Sequence, residues 1–188
     1  MSHPAFSLQG KTILLNGMDS ALGQIIAETC SQHGGHLLAT PQEEQIHGLI
    51  HCIDQQLASN VADLSEPALM QVMQSNVIQP VMLTQQLLQN GRLAPQASIV
   101  FLLSTAAHMG AAGQGAYAAS KAALNGIIQC LALEQAAQGI RVNGISPRPD
   151  AALWPDVANS VVFLLSDASR WITGTRLMIN GSVTEAAA

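Results

Sequence analysis

Apolar positions along the chain alternate between two periods. Short, nearly continuous apolar runs occur at 11–16 (KTILLN), 36–40 (HLLAT), 46–53 (IHGLIHCI), 99–103, 140–145 and 176–179. Runs of that length without polar alternation read as strands buried on both faces of a parallel sheet. Between them the spacing changes to three and four. Leu22, Ile25, Ile26 and Thr29 mark one helix, which Gly34-Gly35 ends. Leu69, Val72, Met73, Val77, Val81, Leu83, Leu87 and Leu88 mark a longer one over 66–89, interrupted by Pro80, which predicts a kink or break. Leu124, Ile127, Ile128 and Leu131 mark a third, starting near Tyr117 and closed by Gly139, and 155–166 a fourth with proline in its first turn. Strands alternating with helices predict an α/β fold, a mostly parallel sheet with helices on both faces. No repeat or linker divides it, so residues 1–188 read as a single domain.

Composition narrows the function. The chain has a net charge of −5 and no basic stripe, which argues against nucleic acid as a partner. No apolar run approaches the ~18 residues of a membrane span, and the start lacks the pattern of a signal peptide. Cys30, Cys52 and Cys130 have no metal-like spacing and read as reduced thiols, which fits the cytoplasm. His51-Cys52 has no further ligands clustered in sequence and reads as a buried histidine and thiol, so no metal site is expected. Charged residues make up only 10% of the chain, against about 25% in ordinary domains.

The chemistry concentrates in 98–133. Ser104 ends an apolar strand, where open parallel sheets place ligands. A loop with Gly110, Gly113 and Gly115 follows, then a helix on which Tyr117 and Lys121 lie one turn apart. A phenol titrates near pH ~10, and a neighbouring ammonium favours the phenolate. Lys121 is placed to lower the Tyr117 pKa, Ser104 to donate to a substrate oxygen, and Tyr117 to exchange that oxygen's proton. Near the start, strand 11–16, Gly17 to Gly23 (GMDSALG) and a helix form a unit able to hold a pyrophosphate on helix N–H groups.

A serine followed thirteen residues later by Y-x-x-x-K resembles the short-chain dehydrogenase/reductase family, and the likeness extends over nearly the whole chain. The resemblance implies a Rossmann-like, doubly wound fold and an NAD(P)-dependent oxidoreductase interconverting a hydroxyl and a carbonyl on a small molecule. It assigns Tyr117 as acid/base, with Ser104, Lys121 and Asn76 completing the catalytic set. It places Gly17, Ser20, Leu22, Gly23, Tyr117 and Lys121 on NAD or NADP. It also implies a homodimer or homotetramer built on the 66–89 and Tyr117 helices.

Several positions depart from the family pattern. Ala21 stands where a glycine is usual, and Asp19 adds a negative charge beside it. His51-Cys52-Ile53-Asp54 replaces N-N-A-G, so Asp54 takes the place of the glycine that admits the cofactor. Glu43 or Glu44 is all that remains near the second strand to meet a ribose. Pro147 is followed by Arg148, and the segment SPRPDAALW is too short for a substrate lid. Only Pro41 to Gln45 link the second strand to the third, so one strand–helix unit is missing there. Six steps reach about 20–22 Å, barely the diagonal of roughly 20 Å for a parallel return. The second strand is therefore expected to be displaced, shortened or differently paired. These departures favour an alternative: a catalytically inactive relative serving as a binding or assembly subunit. Asn180-Gly181-Ser182 replaces D-G-G, and the alanine-rich end is expected to fray.

Overall fold

A computed structural model describes residues 4–180. The described residues form a six-stranded sheet in the order β2-β1-β3-β4-β5-β6, parallel throughout. Its strands are β1 (Thr12–Asn16), β2 (His36–Leu38), β3 (Ile46–His51), β4 (Leu93–Leu102), β5 (Arg141–Pro147) and β6 (Arg176–Ile179). Gly181, Ser182 and the alanine-rich end lie outside the described residues.

Two helical layers cover the sheet. On one face α1 (Ala21–Gln32) and α6 (Trp154–Leu165) pack Ile26, Cys30, Val157, Val161 and Leu165 against Ile13, Leu15 and Val100. On the other lie α2 (Glu66–Met73), α3 (Gln79–Gln89) and α5 (Gly115–Glu134), with Leu87, Leu124 and Ile128 against Leu49, Ile99 and Phe101. A one-turn helix, α4 (Ala106–Met109), precedes α5. Side chains from both faces of β1, β3, β4 and β5 are buried, which is why these strands are apolar runs without alternation, whereas the edge strands β2 and β6 are partly exposed.

β2 pairs parallel with β1 but ends at Leu38, two residues before the apolar run does. Shortening resolves the tight link: eight steps from Leu38 to Ile46 reach about 26–29 Å. The missing unit leaves β2 as a three-residue edge strand.

The interruption expected at Pro80 takes the form of a π-helical turn. A π-helical turn, Gln74–Ile78, joins α2 to α3, and Pro80 falls in the first turn of α3. Proline cannot bond the carbonyl four residues back, and a π turn absorbs the mismatch without ending the helix. The same turn aims the buried Asn76 at the loop after β3.

Candidate active site

The carboxyl ends of β1, β3, β4 and β5 open on a cavity of about 470 Å³, a size that suits a small-molecule site. Ser104, Tyr117 and Lys121 line it together. So do Ser20, Ala21 and Leu22 from the start of α1, Asp54 from the loop after β3, and Pro147 to Ala151 with Trp154 from the short segment before α6.

The glycine turn is built for its own packing. Gly17 has φ +96°, and a Cβ there would lie 2.6 Å from the Cys52 carbonyl oxygen. A Cβ on Gly23 would collide with the Gly17 carbonyl oxygen. Both glycines are therefore required for β1 and α1 to meet, with or without a ligand. Ser20 caps α1: its Oγ accepts from Gly23 N–H at 3.0 Å and donates to the Gly17 carbonyl at 2.8 Å. Ala21 and Asp19 are exposed.

Asp54 dominates the chemistry. Tyr117 donates its hydroxyl to Asp54 Oδ1 at 2.7 Å. Lys121 Nζ lies 3.0 Å from the same oxygen and donates to the carbonyls of Ile53 (2.7 Å) and Leu102 (3.1 Å). Gln56 Nε2 donates to Asp54 Oδ2 at 3.0 Å. Lys121 is 1% exposed, so its charge is balanced by Asp54 and two backbone dipoles rather than by water. Burial pushes the Asp54 carboxyl up, but the Lys121 charge and the bonds from Gln56, Tyr117 and Lys121 outweigh it and hold the group below the usual aspartate value.

The Tyr117 phenol moves the other way from expectation. Burial raises its pKa well above the usual phenol value, and the charge and hydrogen bond of Asp54 raise it further; a hydrogen bond with Ser104 acts in the opposite sense. The lysine expected to acidify the tyrosine is paired with a carboxylate that also holds the phenolic proton.

Asn76 is buried behind the cavity. Its Oδ1 accepts from Gln55 N–H at 2.8 Å, and its Nδ2 donates to the Gln55 carbonyl and to Ser120 Oγ, both at 2.9 Å. It clamps the residue that follows Asp54. Ser120, not singled out from the sequence, anchors that clamp by donating to the Tyr117 carbonyl at 2.7 Å. Arg148 pairs with Asp150 at 2.9 Å on the cavity rim. Glu43 and Glu44 are exposed and line no part of the cavity. His51 and Cys52 are buried, with His51 stacked on Phe101 at 4.6 Å. Among the described residues, no three His, Cys, Asp or Glu side chains gather as metal ligands, and no helix is long and apolar enough to cross a membrane.

A family model described as enoyl-(acyl carrier protein) reductase matches residues 39–153, well over half of the chain. The chain belongs to the short-chain dehydrogenase/reductase family. It is similar to (+)-borneol dehydrogenase 2 of Salvia officinalis, with 33% identity over 126 residues, 48% of this chain and 44% of that protein. The chain thus spans less than half the length of that relative. It is also 26% identical over 239 residues to the 3-oxoacyl-(acyl-carrier-protein) reductase FabG of Haemophilus influenzae, a match covering 94% of this chain and 99% of that one. That alignment is longer than the 188 residues of this chain, so it steps over stretches this short-chain dehydrogenase/reductase lacks. A dehydrogenase/reductase from Sinorhizobium meliloti 1021 shares the fold, with a TM-score of 0.85 at 18% identity over 95% of this chain and 96% of that one.

Family members generally bind a nicotinamide dinucleotide. The residues present fit one at the phosphate end, where the first turn of α1 opens on the cavity. They do not fit it at the ribose end, because Tyr117 and Lys121 are both bonded to Asp54.

Proposed function

We propose that this single Rossmann-like unit is a cytoplasmic oxidoreductase interconverting a hydroxyl and a carbonyl on a small molecule, with NAD or NADP as partner. The observation that supports this is the convergence of Ser104, Tyr117 and Lys121 on one cavity that also reaches the start of α1. In this reading Gly17, Ser20, Leu22 and Gly23 would hold the phosphate end of the cofactor, and Tyr117 and Lys121, once free of Asp54, its ribose end; it would supply the hydride. Ser104 orients the substrate oxygen, Tyr117 exchanges its proton, and Asn76 holds the loop that carries Ile53 and Asp54.

The test is a titration of the purified protein with NADH and with NADPH, followed by nicotinamide fluorescence and heat. Micromolar binding of either is expected to precede any turnover in a carbonyl screen. Absence of binding at millimolar concentrations would remove the oxidoreductase reading. A second reading, a binding or assembly subunit without turnover, is favoured by the Asp54 carboxylate lying on both donors.

We further propose a homodimer or homotetramer formed through α3 and α5. Between them lies a shallow cleft lined by Val81, Leu88, Ile127, Cys130 and Leu131. Met82 beside it is 51% exposed and Leu133 81% exposed. Apolar helix faces of this kind mark association surfaces. Light scattering is expected to give a multiple of the 19.7 kDa chain mass, and the double substitution Met82→Glu with Cys130→Glu to return the monomer. A monomer in the unsubstituted protein would end this proposal.

A further inference from the structure

We infer that Asp54 is an internal occupant of the cofactor's ribose position, and that nicotinamide dinucleotide binds this chain only as far as the Asp54 side chain is driven off Tyr117 and Lys121. The inference rests on the oxidoreductase reading of the site.

Three observations carry it. First, one carboxylate oxygen meets both donors, Tyr117 Oη at 2.7 Å and Lys121 Nζ at 3.0 Å. A sugar hydroxyl offered to the same pair would have to displace an anion from a buried cation, a poor exchange for a neutral group. Second, the backbone of the loop is fixed on both sides of Asp54. Lys121 bonds the Ile53 carbonyl, and Asn76 bonds both the N–H and the carbonyl of Gln55. The loop does not need to move for the site to open, and the Asp54 side chain alone has to rotate. Third, that rotation has somewhere to go. The Asp54 side chain is 46% exposed at the mouth of the cavity, whereas Lys121 is 1% exposed. Cys52 and Gln56 line the same wall and carry no charge that would hold the carboxylate elsewhere. Arg148, which also lines the cavity, is paired with Asp150.

Asp54 does not make the site a pH switch near neutrality. Its neighbours hold it ionised below the usual aspartate range, so the block persists wherever the protein is folded above that range. Release depends on a ligand or on substitution.

The experiment compares the unsubstituted protein with Asp54→Gly and with Asp54→Asn, which preserves side-chain shape if the glycine variant is unstable. NADH and NADPH binding is measured by calorimetry on each. Tyr117 is the chain's single tyrosine, so its ionisation is read directly from the phenolate absorbance as pH is raised. The expected result is at least tenfold tighter binding of one dinucleotide to Asp54→Gly. Both variants are also expected to ionise Tyr117 at lower pH than the parent, because Lys121 then faces the phenol without a carboxylate between. Equal, measurable affinity in parent and variants would overturn the inference and leave the oxidoreductase reading standing. No binding in any of the three would overturn both. An unchanged tyrosine titration would overturn the inference whatever the affinities.

Discussion

Acidification from pH 6.5 to 4.5 is expected to cost the fold about 2.5 kcal/mol through one side chain, His51. The ring is buried at the end of β3 and stacked on Phe101 at 4.6 Å. Its Nε2 lies 2.8 Å from Thr84 Oγ1. Thr84 already donates its own hydroxyl proton to the Pro80 carbonyl at 2.9 Å, so it accepts from His51. The proton therefore sits on Nε2, and Nδ1 accepts from Asn16 Nδ2 at 3.4 Å. A second proton on Nδ1 would face an amide donor in a buried site. Burial drives the pKa down from 6.5 to about 3. The unfolded chain takes up a proton below pH 6.5 while the native ring stays neutral until about pH 3, so this stability is complete above pH 6.5 and declines as pH falls through that window. Against a typical total of about 5–15 kcal/mol the loss is large. Urea unfolding at the two pH values checks it, with His51→Gln as the control. The variant keeps a donor and an acceptor but cannot titrate, and its stability is expected to vary much less between the two pH values. The lowered His108 acts in the same direction but is common to both proteins, and Asp54, Asp150 and Asp167 are held below the usual aspartate value, under this window. An equal slope in both proteins would show that His51 is not the group responsible. The consequence reaches the site, because His51 ends the strand that leads directly into Ile53 and Asp54.

The sheet was legible because its central strands are buried on both faces and so announce themselves as apolar runs. Chain reach showed that β2 had to be displaced, shortened or differently paired, and of the three the structure takes shortening, with the strand still parallel beside β1. Ser104, Tyr117 and Lys121 were legible from spacing, since a strand end and one helical turn fix where they point. Two features were not. The π turn at Gln74–Ile78 is the form the interruption before Pro80 takes, and the local rule for proline, which predicts a kink or break, does not specify it. The role of Asp54 was hidden too. Its position as a substituted glycine was visible, but its partners lie 63 and 67 residues away. Only the adjacency of β3 and β4 in the sheet brings the loop after one strand under the helix that follows the other. That adjacency also reverses the expected electrostatics, since a lysine bonded to a carboxylate no longer draws a proton off its neighbour.

Replacing Tyr117 by phenylalanine is expected to lower turnover of a carbonyl substrate by about 10³-fold, the central range for loss of a positioned proton donor, while leaving the fold in place. Phenylalanine fills the same volume, and Asp54 retains Lys121 and Gln56 as partners. The pH profile distinguishes this from general damage. Burial is the largest cause raising the Tyr117 pKa above the ordinary phenol value, and it acts with Asp54 on or off the hydroxyl, so the group keeps its proton throughout the neutral range. It therefore enters the reaction as an acid. Carbonyl reduction, which needs that proton, is expected to be flat from neutral pH up to and past the ordinary phenol pKa. Alcohol oxidation needs the phenolate and is expected to rise about tenfold per pH unit over the same interval. The two directions thus diverge with pH because of one group, and Tyr117→Phe should abolish the divergence along with the rate. Retention of the parent rate in the phenylalanine variant would sink the role assigned to Tyr117. A parent enzyme that oxidises alcohols equally well at all pH values would show that, once Asp54 has left the tyrosine, Lys121 outweighs burial and holds the phenol ionised.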